Sequence, residues 1–279
     1  MYRNCRMNVD CNKRKVVLEL SPICNLNCKH CIYKSLNKIS FLDFIAKEDA
    51  FRLIDKFSFA KIDRLVLTGG EPTLHPYFSE ISEYAIKKIP KVSICTNGVI
   101  FNKKLEKKVI AFNFSNYTVS VDSHIEEIHD EFRGVKGAFN QTISFLEKLK
   151  DKEKRTAIHI TLNPTNIDHI EETIKFCKKF SDEVAVGTIY HNFPSNDKKL
   201  EKDYKDHSEK VKKFKTKFIK DPSVILIGFT QFCENKNCLD LKNVFMVNYK
   251  GKIVSCYWKK NKGKIVKISS KDKFFEVKI

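Results

Sequence analysis

Residues 65–98, LVLTGGEPTLHPYFSEISEYAIKKIPKVSICTNG, decide the fold. A short apolar run, Leu65–Thr68, stops at two glycines and a proline. An amphipathic helical pattern over 77–88 follows, and a second short run, Val92–Thr96, ends in Asn97-Gly98. Strand, helix and strand within so few residues make one βαβ unit, because parallel neighbours need a crossover of about that length. The same alternation extends in both directions. Short runs at Val16–Leu20, Tyr117–Val121, Ala157–Leu162 and Val184–Ile189 read as further strands. Helical patterns occupy 47–58, 102–111, 138–150 and 167–180, the last with Ile170, Ile174, Cys177 and Phe180 on one face. Six strands separated by helices predict a parallel sheet, open or closed into a barrel.

After Ile189 the pattern changes. Residues 191–200 read as a loop, 200–220 as a Lys-rich amphipathic helix, and 224–229 as an apolar run. From Cys233 onward two β-like runs flank Tyr249-Lys250-Gly251, a hairpin signal. A boundary near 228 divides the chain into an N-terminal extension (1–14), a core (15–228) and a C-terminal annex (229–279).

Composition narrows the class. Hydrophobic residues at 42% exclude a disordered chain. The longest apolar stretches are soon interrupted by charge, so no membrane span is expected. No apolar secretory region opens the chain, which points to the cytoplasm, where ten cysteines mean metal or redox chemistry before disulfides. The formal charge of +18 is concentrated at 198–220 and 259–278 without interleaved aromatics that would stack bases. It reads as a solvated Lys-rich surface, favoured over a nucleic-acid footprint.

The stretch Cys24-Asn-Leu-Asn-Cys28-Lys-His-Cys31 leaves the first strand. Three thiolates so close in sequence can converge on one metal centre without help from distant chain. A zinc site needs a fourth ligand, which His30 is badly placed to supply. An iron–sulfur cluster held by three thiolates keeps one iron open.

This CxxxCxxC motif resembles that of the radical S-adenosylmethionine (SAM) superfamily. Thr68-Gly69-Gly70-Glu71-Pro72 is similar to the superfamily's GGE segment. Thr96-Asn97-Gly98 and Ser120-Val121-Asp122 resemble segments common in its members, and the HDEFRG of 129–134 is similar to the HDxxRG stretch of its peptide-modifying members. The resemblance spans about residues 15–190 and implies an α/β fold, a partial (β/α)6 parallel barrel with its site at the strands' C-terminal ends. It implies that Cys24, Cys28 and Cys31 hold a [4Fe–4S] cluster. SAM would chelate the open iron and be cleaved by one electron to a 5′-deoxyadenosyl radical that abstracts hydrogen. Gly69, Gly70 and Glu71 would meet the SAM amino group, with Asn97 beside them. Ser120 and Asn163 are candidates for the ribose region, and Arg133 for the carboxylate. Each has a plain alternative: a small strand residue, a turn before Pro164, an ion pair.

Cys233, Cys238 and Cys256 form a second group. Cys238, a twelve-residue gap, Gly251, four residues and Cys256 resembles the element opening the SPASM and Twitch extensions, implying one auxiliary iron–sulfur cluster; a zinc-stapled hairpin is the alternative. Cys95 and Cys177 read as small core residues, and His75 and His129 as solvated loop histidines. The expected function is hydrogen abstraction from a peptide or protein side chain, with a flavodoxin- or ferredoxin-like electron donor. With so short an N-terminal extension, any leader peptide would be recognised by the barrel surface or a separate partner. The alternatives are rearrangement of a nucleotide or other small precursor, as in the cyclase of molybdenum-cofactor synthesis, and a non-catalytic iron–sulfur or zinc-binding protein.

Overall fold

The computed structural model describes residues 14–31, 33, 40, 42–181, 183–188, 208–218, 221, 224–227, 244–254 and 266–267. The six expected strands are present as β1 (Lys15–Glu19), β2 (Arg64–Thr68), β3 (Val92–Thr96), β4 (Asn116–Ser120), β5 (Thr156–Leu162) and β6 (Glu183–Thr188). Between them lie α1 (Lys47–Phe59), α2 (Phe78–Lys88), α3 (Lys103–Ala111), α4 (Glu126–Arg133), α5 (Ala138–Asp151) and α6 (Ile170–Cys177). Then come α7 (Ser208–Phe218), β7 (Val224–Ile227), β8 (Val244–Val247), β9 (Lys252–Val254) and β10 (Val266–Lys267).

The ten strands among the described residues form one sheet in the order β10-β9-β8-β1-β2-β3-β4-β5-β6-β7. From β8 to β7 every pairing is parallel; β9 and β10 add antiparallel neighbours at the β8 side. β1 to β7 lie in chain order with no reversal. Right-handed crossovers then put every connecting helix on the same face, the arrangement of a barrel wall.

Residues paired in register share a face. Leu18, Leu67 and Ile94 on β1–β3, Val119 and Ile158 on β4 and β5, and Val184 on β6 are all buried in one hydrophobic cluster. Against them pack Leu53, Ile54 and Phe57 of α1, Phe78 and Ile81 of α2, Phe145 and Leu149 of α5, and Ile170, Ile174 and Cys177 of α6. The alternate residues, among them Glu19, Thr68, Cys95, Thr118, Ser120 and His159, face the other way.

Two strands differ from expectation. The apolar run after 224 is a seventh parallel strand beside β6, and the hairpin's first strand, β8, pairs with β1 from Lys15↔Val244 to Leu18↔Val247. The hairpin is therefore continuous with the core sheet. Cys5, Cys11, Cys233, Cys238 and Cys256 lie outside the described residues.

Candidate active site

The chain leaving β1 runs on alongside the exit of β2. Gly70 N donates to Ser21 O at 2.7 Å and Glu71 N to Ile23 O at 2.8 Å, so the β1–β2 pairing continues past the strands. A Cβ on Gly70 would sit 2.2 Å from Ile23 O, and one on Gly69, whose φ is +144°, 2.3 Å from Ser21 O. The two glycines therefore admit the backbone of the cysteine segment itself, and in doing so bring Glu71 beside Cys24.

Glu71 is fully buried. Its Oε1 accepts from Thr73 N (3.2 Å), Thr73 Oγ1 (2.7 Å) and Thr96 Oγ1 (2.9 Å), while Oε2 accepts from Asn97 N at 2.8 Å. Burial raises its pKa, and these four donors oppose the rise. Asn97 joins carboxylate to cysteine: its Nδ2 donates to Asn25 Oδ1 at 2.8 Å and to Cys24 Sγ at 3.6 Å, and its Oδ1 accepts from Val99 N. Leu26 N adds a second donor to Cys24 Sγ at 3.4 Å. Burial pushes the Cys24 thiol up to about 12, against the Leu26 N–H.

α4 closes the other side. Asn27 N donates to Arg133 O at 3.0 Å and Lys29 N to Phe132 O at 2.9 Å, while the His30 ring stacks on Phe132 at 4.7 Å. Gly134, φ +72°, ends the helix where a Cβ would lie 2.3 Å from Asn27 O. Arg133 Nε donates to Asp122 Oδ2 at 2.6 Å and Nη1 to Cys28 Sγ at 3.8 Å. Burial raises the Cys28 thiol, with Arg133 opposing. Burial also disfavours both charges of the ion pair, but their mutual attraction wins, lowering the Asp122 pKa and raising that of Arg133.

Residues 18–177 match the Radical SAM superfamily. The chain belongs to the radical SAM superfamily.

It is 30% identical over 180 residues to an AdoMet-dependent heme synthase of Methanosarcina barkeri, covering 64% of this chain and 50% of that one. To the antilisterial bacteriocin subtilosin biosynthesis protein AlbA of Bacillus subtilis it is 36% identical over 138 residues, 48% of this chain and 30% of the relative. Streptococcus suis SuiB bound to precursor peptide SuiA superposes with a TM-score of 0.69 at 17% identity, over 88% of this chain and 59% of that chain. The chain spans half or less of the length of the curated relatives it matches first.

Radical SAM proteins use a [4Fe–4S] cluster and SAM, and the residues present fit both. Cys24, Cys28 and Cys31 are free, and the Cys24 thiol feels the charges of the other two. Among the described residues no three His, Cys, Asp or Glu side chains stand close enough to hold one metal ion. A four-iron cube would take each of the three thiolates on a different iron.

The remaining predicted residues are placed as follows. Ser120 is half-buried at the end of β4, in register with His159 of β5 and on the face away from the helices. Asn163 is buried, with Nδ2 donating to Thr161 O and Oδ1 accepting from Thr165 N and Oγ1. The ion pair of Arg133 is buried rather than superficial. His75 and His129, expected to be solvated, are 4% and 1% exposed. The His75 ring spans Ile45 O and Tyr77 N, and His129 Nδ1 accepts from Asp122 N at 3.2 Å. Asn25, Thr73, Thr96 and Asp122 complete the site without having been singled out. Each stands inside or beside a quoted motif, which was the available signal.

Proposed function

We propose that this chain binds SAM on a [4Fe–4S] cluster at Cys24, Cys28 and Cys31 and uses it to abstract hydrogen from a peptide or protein side chain. The observation that carries this is the shared hydrogen bonding of Asn97, whose backbone N–H holds Glu71 while its amide holds Cys24. One residue thereby ties the expected amino-group acceptor to the cluster loop. When bound, cluster and SAM supply an electron and a 5′-deoxyadenosyl radical. Glu71 Oε2 receives one donor from the chain and keeps acceptor capacity for an ammonium, which would offset the burial of its charge. The glycine pair and α4 hold the loop that presents the three thiolates.

Peptide chemistry is supported by AlbA, by the sporulation killing factor maturation protein SkfB and by the SuiB complex with its precursor peptide. The heme synthase, matching the larger share of the chain, favours a second reading: a small cofactor precursor as substrate. An auxiliary cluster at Cys233, Cys238 and Cys256 and a flavodoxin- or ferredoxin-like donor belong to the proposal. The boundary near 228 then separates two cluster chemistries within one sheet. Among the described residues no helix is long and apolar enough to cross a membrane.

Anaerobic reconstitution should give about eight iron per chain with both clusters, or about four with one. Reductant and SAM should then release 5′-deoxyadenosine, and Cys28→Ala should abolish its release. Product persisting in that variant would refute the cluster assignment. Stimulation of release by precursor-type peptides, against iron-coproporphyrin, separates the two substrate readings.

A further inference from the structure

Asp122 and Arg133 are 0% and 6% exposed, and a pair so desolvated is tolerated only if both partners are well satisfied. Asp122 is held from several elements. Its Oδ1 accepts from Thr161 N of β5 at 2.8 Å, its carbonyl accepts from Asn166 Nδ2 at 2.7 Å, and its N–H meets His129 of α4. A carboxylate fixed this firmly fixes what it binds. It takes only the Nε of Arg133, whereas a pair serving stability alone gains most from the two-pronged grip of both ends of the fork. The guanidinium is left with Nη1 directed at Cys28 Sγ, 3.8 Å away.

The backbone reinforces that aim. The bonds from Asn27 N and Lys29 N to the last carbonyls of α4 flank Cys28 on either side, so helix and loop are joined where the guanidinium meets the sulfur. Gly134 lets them approach, and the His30–Phe132 stack covers the junction.

We propose that Arg133 donates an N–H to the Cys28 thiolate and thereby tunes the reduction potential of the cluster, with Asp122 as the positioning residue. This rests on the reading of Cys24, Cys28 and Cys31 as cluster ligands. Reduction adds negative charge to the cluster. A cation and an N–H at one of its sulfurs stabilise the reduced form and raise the potential.

The test is a redox titration, without SAM, of anaerobically reconstituted wild type, Arg133→Gln, Arg133→Lys and the neutral pair Asp122→Asn/Arg133→Gln, followed by the electron paramagnetic resonance of the reduced cluster. Arg133→Gln should keep its iron and titrate at a more negative midpoint. Arg133→Lys, which keeps the cation, should recover part of that shift. The double variant, which buries no unpaired charge, should show the negative shift even if the single one fails to fold. An unchanged or more positive midpoint in the fully loaded double variant overturns the proposal. If wild type takes up no four-iron cluster, the cofactor reading falls and this inference with it.

Discussion

Glu71 shows how one buried carboxylate organises its surroundings. With three donors on Oε1 and one on Oε2, it is satisfied only as an acceptor. Glu71→Gln replaces one oxygen by an amide that must point N–H at a donor-only group, either Asn97 N or Thr73 N. The expected cost is about 1–3 kcal/mol of stability, the usual penalty for an unsatisfied buried group. SAM affinity should fall about tenfold or more, since the charge facing the ammonium is lost. Calorimetric SAM titration and denaturant unfolding of the reconstituted variant check both; unchanged affinity would remove Glu71 from the SAM site. The motif around Glu71 was legible in the sequence, but what its glycines face was not. Gly69 and Gly70 accommodate Ser21 and Ile23, and that depends on how far the β1–β2 pairing runs past the strand ends. Asp122 was visible as part of Ser120-Val121-Asp122, but its partners reach as far as Asn166, 44 residues away, beyond any local pattern.

At the scale of elements, the parallel βα repeat was readable because each strand is a compact apolar run and most helices last three turns or so. α4 was not read as a helix. Its eight residues, EEIHDEFR, carry too few apolar positions to register a period, and burial of His129, Asp130 and Arg133 replaces the usual apolar stripe. The hairpin strand β8 was readable but its partner was not: pairing a strand at 244–247 with β1 is a non-local choice that no periodicity encodes. Yet α4 is what clamps the cysteine loop. Gly134→Ala tests it. The alanine meets a left-handed φ of +72°, costing about 1–2 kcal/mol, and its Cβ must also push Asn27 O away. Iron uptake on reconstitution should drop and the apoprotein's melting temperature should fall. Gly137→Ala, at φ +82° with nothing within 4 Å, carries the strain without the collision and serves as control. Equal iron uptake in the two variants would mean that the loop does not depend on this contact.

For the molecule as a whole the net charge is +18, while the charges with most leverage on stability are the few buried ones. His129 illustrates the difference. Burial, and then Arg133, push its pKa down from 6.5 to about 4, against the pull of Asp122 and Asp130. Its ring also meets Phe139 edge-on at 5.6 Å, and its Nδ1 must stay unprotonated to accept from Asp122 N. The imidazole is therefore neutral in the folded state where the unfolded chain would protonate it. Its contribution is present above about pH 6.5 and is lost as the pH falls from there towards 4, because the unfolded state binds the extra proton. A shift of this size corresponds to roughly 3 kcal/mol across that window. His129→Gln removes the titrating group, so its unfolding free energy should decline less steeply with acid, by up to one proton in slope. Denaturant unfolding of both apoproteins at intervals from neutral pH to pH 4 measures this, without interference from cluster loss. The carboxylates common to both proteins cancel in the comparison. Parallel profiles would mean that His129 takes up its proton inside the fold, and the clamp on Asp122 would then have to survive without that nitrogen.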